Sequence, residues 1–181
     1  MSISAIDKLK MIAAIIACLS AGAPQTSARA QDTNGDAVTD PTLPPLWKSQ
    51  CVGASRTGPL ECSMEQRLVL EGSGQFLARL MIRMPASASV VPVFLIQLPL
   101  GVSLPVGLRL SVDGMPGENL GFQACDKAGC YVGDTLSDSM MGAMKAGNVI
   151  SINFEDSAKR PRKLDFSLQG FTRAFNAISK P

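Results

Sequence analysis

Apolar and polar residues alternate with a period of two through much of the second half of the chain. Ala78, Leu80, Ile82 and Met84 fall on one side, with Arg79, Met81 and Arg83 between them. Leu108, Leu110 and Val112 interleave with Arg109, Ser111 and Asp113, and Ile150, Ile152 and Phe154 with Ser151, Asn153 and Glu155. Leu164, Phe166 and Leu168 alternate with Lys163, Asp165, Ser167 and Gln169. Successive side chains of a strand point to opposite faces, so each stretch predicts a half-buried β-strand. The last two are then joined by a polar hairpin connection over Asp156–Arg162. Val90 to Leu98 is more continuously apolar and predicts a central strand, with Pro92 marking its start or a bulge because proline cannot donate to a ladder. Asp113-Gly114 and Met115-Pro116-Gly117 carry hairpin turn chemistry. Helical spacing occurs at Leu136, Met140, Met141 and Met144, stopped by Gly147, and a second short helical turn is expected over Thr172–Ile178. No internal repeat is visible. About seven or eight strands at regular spacing predict an all-β, mostly antiparallel fold, a β-sandwich or jelly-roll-like barrel with one or two short helices.

The N-terminus reads differently. Lys8 and Lys10 precede thirteen apolar or small residues, Met11 to Ala23, and Ala28-Arg29-Ala30 supplies a small-x-small pattern before Gln31. This predicts a signal peptide over residues 1–30, cut between Ala30 and Gln31. A membrane span would need roughly 20 apolar residues. A second processing site competes at Ile15-Ile16-Ala17-Cys18, where Cys18 would be acylated, although only seven apolar residues then separate it from Lys10. Residues 31–45 are rich in Asp, Thr, Asn and Pro and read as a flexible leader, with a single domain over 46–181.

Processing changes the charge. The whole chain has 17 Lys+Arg and 15 Asp+Glu, a net charge of +2; losing Lys8, Lys10, Arg29 and Asp7 with the signal leaves fourteen of each sign. A mature chain of zero net charge argues against nucleic acid as a partner, since that binding rests on excess cations facing phosphates. Cys51, Cys62, Cys125 and Cys130 remain after Cys18 departs. Four cysteines allow three pairings, and the sequence-local pairs, Cys51 with Cys62 and Cys125 with Cys130, are expected because each closes a short loop beside a strand.

Candidate chemistry is sparse. The chain has no His, which excludes histidine-based triads, phosphorelay and His-ligated metal. Cys125 and Cys130 are separated by four residues, whereas thiol oxidoreductases use C-x-x-C at a helix N-terminus, so a redox role is the weaker reading of that pair. The C-x10-C and C-x4-C spacings do not make a zinc site. Asp113, Glu118, Asp126, Asp134 and Asp138 form no calcium-loop run. No mature serine has a lysine three residues later to act as its base. No catalytic residue, metal or cofactor is therefore assigned. Lys159, Arg160, Arg162 and Lys163 form the one cationic cluster, a candidate patch for an anionic partner such as lipopolysaccharide or a sulfated glycan. Met140, Met141 and Met144 read as core filling, and Trp47 as a core residue near the first disulfide.

The order of landmarks resembles the invasion-associated locus B family of exported bacterial proteins. It runs from Trp47-x3-Cys51 and Cys62 through Leu98-Pro99-Leu100-Gly101-Val102 and Gly107 to Asp113. It continues with Phe122-Gln123-Ala124-Cys125, Gly129-Cys130 and Lys145-Ala146-Gly147, and ends in Ser167-Leu168-Gln169-Gly170-Phe171-Thr172-Arg173-Ala174. The resemblance spans about residues 46–178. It implies a signal peptide, a β-rich sandwich-like domain with two disulfides, and a periplasmic or outer-envelope location. It also implies an association with host-cell entry in some pathogenic members, and no catalytic residues. The resulting expectation is an exported, non-enzymatic interaction module with an unknown envelope or host-surface partner; the alternative is a periplasmic thiol-disulfide or other enzymatic helper. Intact-mass measurement of the mature protein, alkylated before reduction, is expected to give a chain starting at Gln31 and lacking the hydrogens lost in two disulfides. A lipid-modified Cys18 terminus or four alkylated thiols would contradict it.

Overall fold

The computed structural model describes residues 46–179 apart from positions 54, 57 and 86–90. The expectations for the signal peptide, the leader, Cys18 and the Ala30–Gln31 cleavage site fall outside the described residues.

Among the described residues, ten strands make two antiparallel sheets. The strands are β1 (Lys48–Gly53), β2 (Leu60–Val69), β3 (Phe76–Met84), β4 (Val93–Leu98) and β5 (Leu108–Val112), then β6 (Glu118–Leu120), β7 (Ala124–Asp126), β8 (Gly129–Thr135), β9 (Val149–Glu155) and β10 (Pro161–Ser167). The larger sheet runs β1-β2-β3-β4-β8-β7 and the smaller β10-β9-β5-β6. Two helices, α1 (Asp138–Ala146) and α2 (Phe171–Ser179), complete the fold with a 3-10 turn at Leu104–Val106. Two separate sheets, not one closed barrel, resolve the architecture that alternation leaves open.

Alternation places the core. On β3, Ala78, Leu80 and Ile82 are fully buried and Arg83 is exposed; β4, starting directly after Pro92, lies inside the larger sheet and buries Phe94, Ile96 and Leu98. From the smaller sheet come Leu108, Leu110, Val112, Ile150, Ile152 and Phe166, and all join one contiguous cluster. Burying a side chain of this size stabilises the fold by roughly 1.5–3 kcal/mol.

β2 is the longest strand, yet its apolar alternation is broken. Cys62 and Met64 point inward, and the next inward position holds Gln66, which is 3% exposed. Its Nε2 donates to the Ser167 carbonyl at 3.2 Å. Trp47 Nε1 donates to the same carbonyl at 3.0 Å, and the Trp47 ring meets Phe171 edge-on with centroids 5.2 Å apart. Trp47 is thus a core residue, as expected, but α2 is its packing partner. α2 lies against β1 and β2 through Phe171, Phe175 and Ile178.

Several boundaries differ from the sequence expectations. The β9–β10 connection is Asp156–Arg160, shorter than predicted, because Pro161 already pairs with Glu155. β6 ends at Leu120 in the smaller sheet, and the chain re-enters the larger sheet at Ala124. α1 starts after Ser137, whose hydroxyl accepts the Met140 N–H, and Met144 is its buried core residue. Gly147 ends α1 as expected, but with an ordinary extended φ of −86°. What requires glycine there is space, since a Cβ would lie 2.5 Å from Val112 Cγ1 and 2.8 Å from the Ala143 carbonyl oxygen.

The hairpin at Asp113-Gly114 has positive φ at both residues, 47° and 76°, and the Met115 N–H closes it on the Val112 carbonyl at 3.0 Å. On its return, Gly117 passes so close to β5 that a Cβ would sit 1.5 Å from the Leu110 carbonyl oxygen. Gly117→Ala is therefore expected to destabilise the fold by about 3 kcal/mol or more, read as a lowered thermal midpoint. Gly142, exposed within α1 with nothing within 4 Å of its missing Cβ, gives the opposite sign. Gly142→Ala should stabilise by about 0.5–1 kcal/mol.

Candidate functional site

Both cysteine pairs close as disulfides between directly paired strand residues, Cys51–Cys62 across β1 and β2 and Cys125–Cys130 across β7 and β8. Each joins an edge strand of the larger sheet to its sole neighbour. Every residue of β1 and β7 is exposed, so neither strand contributes apolar burial, and a covalent link supplies what packing does not. Cys62 and Cys130 are buried, and neither pair lies at a helix N-terminus.

The cationic cluster sits at one end of the smaller sheet. Lys159 and Arg160 belong to the β9–β10 turn, whereas Arg162 and Lys163 are strand residues of β10. Asp156 organises the turn: its Oδ1 accepts the Ala158 and Arg160 backbone N–H groups at 2.9 and 3.1 Å. Its Oδ2 accepts Arg160 Nε at 2.8 Å and lies 3.9 Å from Arg162 Nε. Lys159 takes the left-handed conformation at φ 63°, a position that glycine usually fills in such a turn. Its ammonium donates to the hydroxyl of buried Ser103 at 2.7 Å, across to the segment linking β4 and β5. Lys163 donates to Asp165 at 3.1 Å.

Each cation of the cluster thus already faces a partner, and the patch is less basic than its sequence. Arg162 is the one whose guanidinium makes no hydrogen bond among the described residues, and its side chain is 57% exposed. Beside it opens a cleft of about 390 Å³ at the end of the sandwich. No sequence pattern marks this cleft, because its walls come from β3, the Pro99–Val102 crossover and the β9–β10 hairpin.

Among the described residues, three groups have displaced pKa values. The Arg160 backbone N–H foremost, then the Arg160 side chain and the Ala158 N–H, hold the Asp156 carboxyl below its ordinary 3.8 despite the opposing effect of desolvation. At Asp165 desolvation acts upward but is outweighed by the Ser151 hydroxyl and the Lys163 ammonium, so its pKa also falls. Desolvation, followed by the Asp126 carboxylate, pushes the Tyr131 phenol up. All three move away from neutrality, opposite to what a general acid or base at neutral pH requires. Among the described residues no group of three His, Cys, Asp or Glu side chains gathers to hold a metal, and no helix is long and apolar enough to cross a membrane.

Because folded Asp156 titrates below its unfolded value, the unfolded chain binds the proton more readily. The stabilisation is therefore complete above the unfolded pKa, near 3.8, and is lost as pH falls through the folded value. The thermal midpoint of Asp156→Asn is expected to lie below that of the parent at neutral pH, and the gap should shrink below about pH 4. A gap independent of pH would contradict this account.

Comparison with known proteins gives a consistent set of likenesses. The family model described as invasion associated locus B (IalB) protein matches residues 47–179. Two invasion protein B homologs of Brucella abortus, from strain 2308 and from biovar 1 strain 9-941, are each 29% identical over 133 residues, covering 73% of this chain and 75% of theirs. The crystal structure of invasion associated protein b from Bartonella henselae shares the fold at a TM-score of 0.63 and 22% identity, covering 74% of this chain and 92% of that one. With the match running from buried Trp47 through α2, the chain belongs to the invasion associated locus B family.

Proposed function

We propose that this chain is an exported bacterial envelope protein that acts by binding, not by catalysis, in host-cell entry or in envelope integrity. The observation that carries the reading is the family match over residues 47–179, which spans both sheets and both helices. Its partner on this reading is an envelope or host-surface component. Export is supported by the signal-like residues 1–30 and by two disulfides, which suit an oxidising compartment. Processing at Ala30–Gln31 makes the product periplasmic or secreted, and processing at Cys18 would leave it lipid-anchored. A non-enzymatic role is supported by a chain without His and by carboxylates and a phenol shifted away from neutral pH.

The thiol-disulfide alternative draws less support. An exchanging pair needs an attacking thiol of lowered pKa, typically at a helix N-terminus, and both pairs here are cross-strand links. The oxidised protein is expected not to exchange with thioredoxin-like dithiols under native conditions; rapid exchange would favour the alternative. In cells, deleting the gene should reduce entry into cultured animal cells or raise detergent sensitivity. The full gene should restore the phenotype, and a version lacking residues 1–30 should not. Restoration by the leaderless version would overturn the exported reading.

A further inference from the structure

The seam between the sheets fails to close at the β9–β10 end. Alternation puts Arg162 on the same side of β10 as Leu164 and buried Phe166, and antiparallel pairing sets it opposite Phe154. A position that the strand pattern reserves for an apolar side chain therefore holds a guanidinium, a local conflict of the kind that collects at functional sites. It borders the cleft of about 390 Å³, whose apolar lining comes from Phe76, Leu77, Leu100, Phe154 and Leu164. That volume lies within the roughly 300–1,000 Å³ of small-molecule sites.

The walls of the cleft are held in place before any ligand arrives. The Ser157 N–H donates to the Gly101 carbonyl at 2.7 Å and the Ser103 N–H to the Glu155 carbonyl at 2.8 Å, which ties the Pro99–Val102 crossover to the hairpin. Lys159 adds its contact to Ser103 from the same turn. The turn lysine in a left-handed conformation thus acts as a strut between two walls. A site ordered in advance loses less entropy on binding.

Charge selects the ligand. Asp156, Arg162 and Lys163 are the ionisable side chains of the lining, leaving one net positive charge. The Asp156 carboxylate is committed to Arg160 and two backbone N–H groups, so Arg162 keeps donors for an incoming anion. Resting on the binding-module reading above, we propose that this cleft holds a monoanionic amphiphile, an alkyl-chain carboxylate. The head accepts hydrogen bonds from Arg162, and the chain lies along Phe76, Leu77, Leu100 and Leu164. Arginine suits this task because its planar fork can meet both oxygens of a carboxylate.

The test is calorimetric titration of the mature chain, as isolated from its producing cell, with dodecanoate below its micellar concentration. Dodecyltrimethylammonium and butyrate are the comparison probes. Saturable binding of dodecanoate alone is expected. Arg162→Gln should weaken it by about tenfold or more, Arg162→Lys should restore part of that loss, and Leu100→Asn, at a side chain 59% exposed, should weaken it without lowering the thermal midpoint. Equal binding of the cationic amphiphile, or unchanged affinity in Arg162→Gln, would overturn the proposal. A chain that supports cell entry but does not bind dodecanoate overturns the cleft alone. Arg162-dependent binding supports the cleft whatever the entry assay gives.

Discussion

The inner faces of the two sheets bury Leu80, Ile82, Ile96, Leu110, Ile150, Ile152 and Phe166 against one another until none of them touches solvent. A strand slipped by one residue would turn that whole row outward, so the seam fixes the register of every strand that borders it. It also dictates how the chain enters strands that pass close to a neighbour. Gly107 and Gly129 occupy left-handed or otherwise positive-φ positions where a Cβ would lie 2.3 Å from the Leu120 carbonyl oxygen and 2.2 Å from that of Leu98. Glycine is required there because the backbone must pass against a strand already held by the core.

Away from the seam, hydrophobic burial weakens and other forces take over. At the two edges of the larger sheet, β1 and β7 have no buried residue, and each is tied to its neighbour by a disulfide. On the outer face, Arg67 and Arg79 are direct cross-strand neighbours, a pairing of like charges that alone would be unfavourable. Arg79 is relieved by Glu65 at 3.5 Å, and Arg67 lies over the Phe76 ring, 5.4 Å from its centroid. Glu61 and Arg83 form a further ion pair on the same face. Such pairs at a solvent-facing surface are each worth roughly 1 kcal/mol or less, so they organise the face more than they stabilise the fold.

The β9–β10 end follows the same logic from the other direction. Four cations in five positions would repel one another, and the fold spreads them over three partners: Ser103 for Lys159, Asp156 for Arg160 and more loosely for Arg162, and Asp165 for Lys163. A surface that reads as a basic patch in the sequence becomes a set of local contacts with one guanidinium left beside an apolar cleft.

Features that follow local rules were legible in the residues alone. Period-two alternation located β3, β5, β9 and β10, Pro92 marked the start of β4, the spacing of Leu136, Met140, Met141 and Met144 with Gly147 after them located α1, and cysteine proximity gave both pairings. β2 was harder to see because Gln66 stands at a core position, where its Nε2 donates to the Ser167 carbonyl 101 residues away in sequence. β1, β6 and β7 were short and mostly exposed, so they carried no burial pattern to detect. Long-range packing made the strands two sheets and not a closed barrel, set Trp47 on α2, and put Arg162 beside a cleft built from three distant segments. Periodicity reports which way a side chain points, whereas what it meets depends on segments whose sequence separation leaves no local trace.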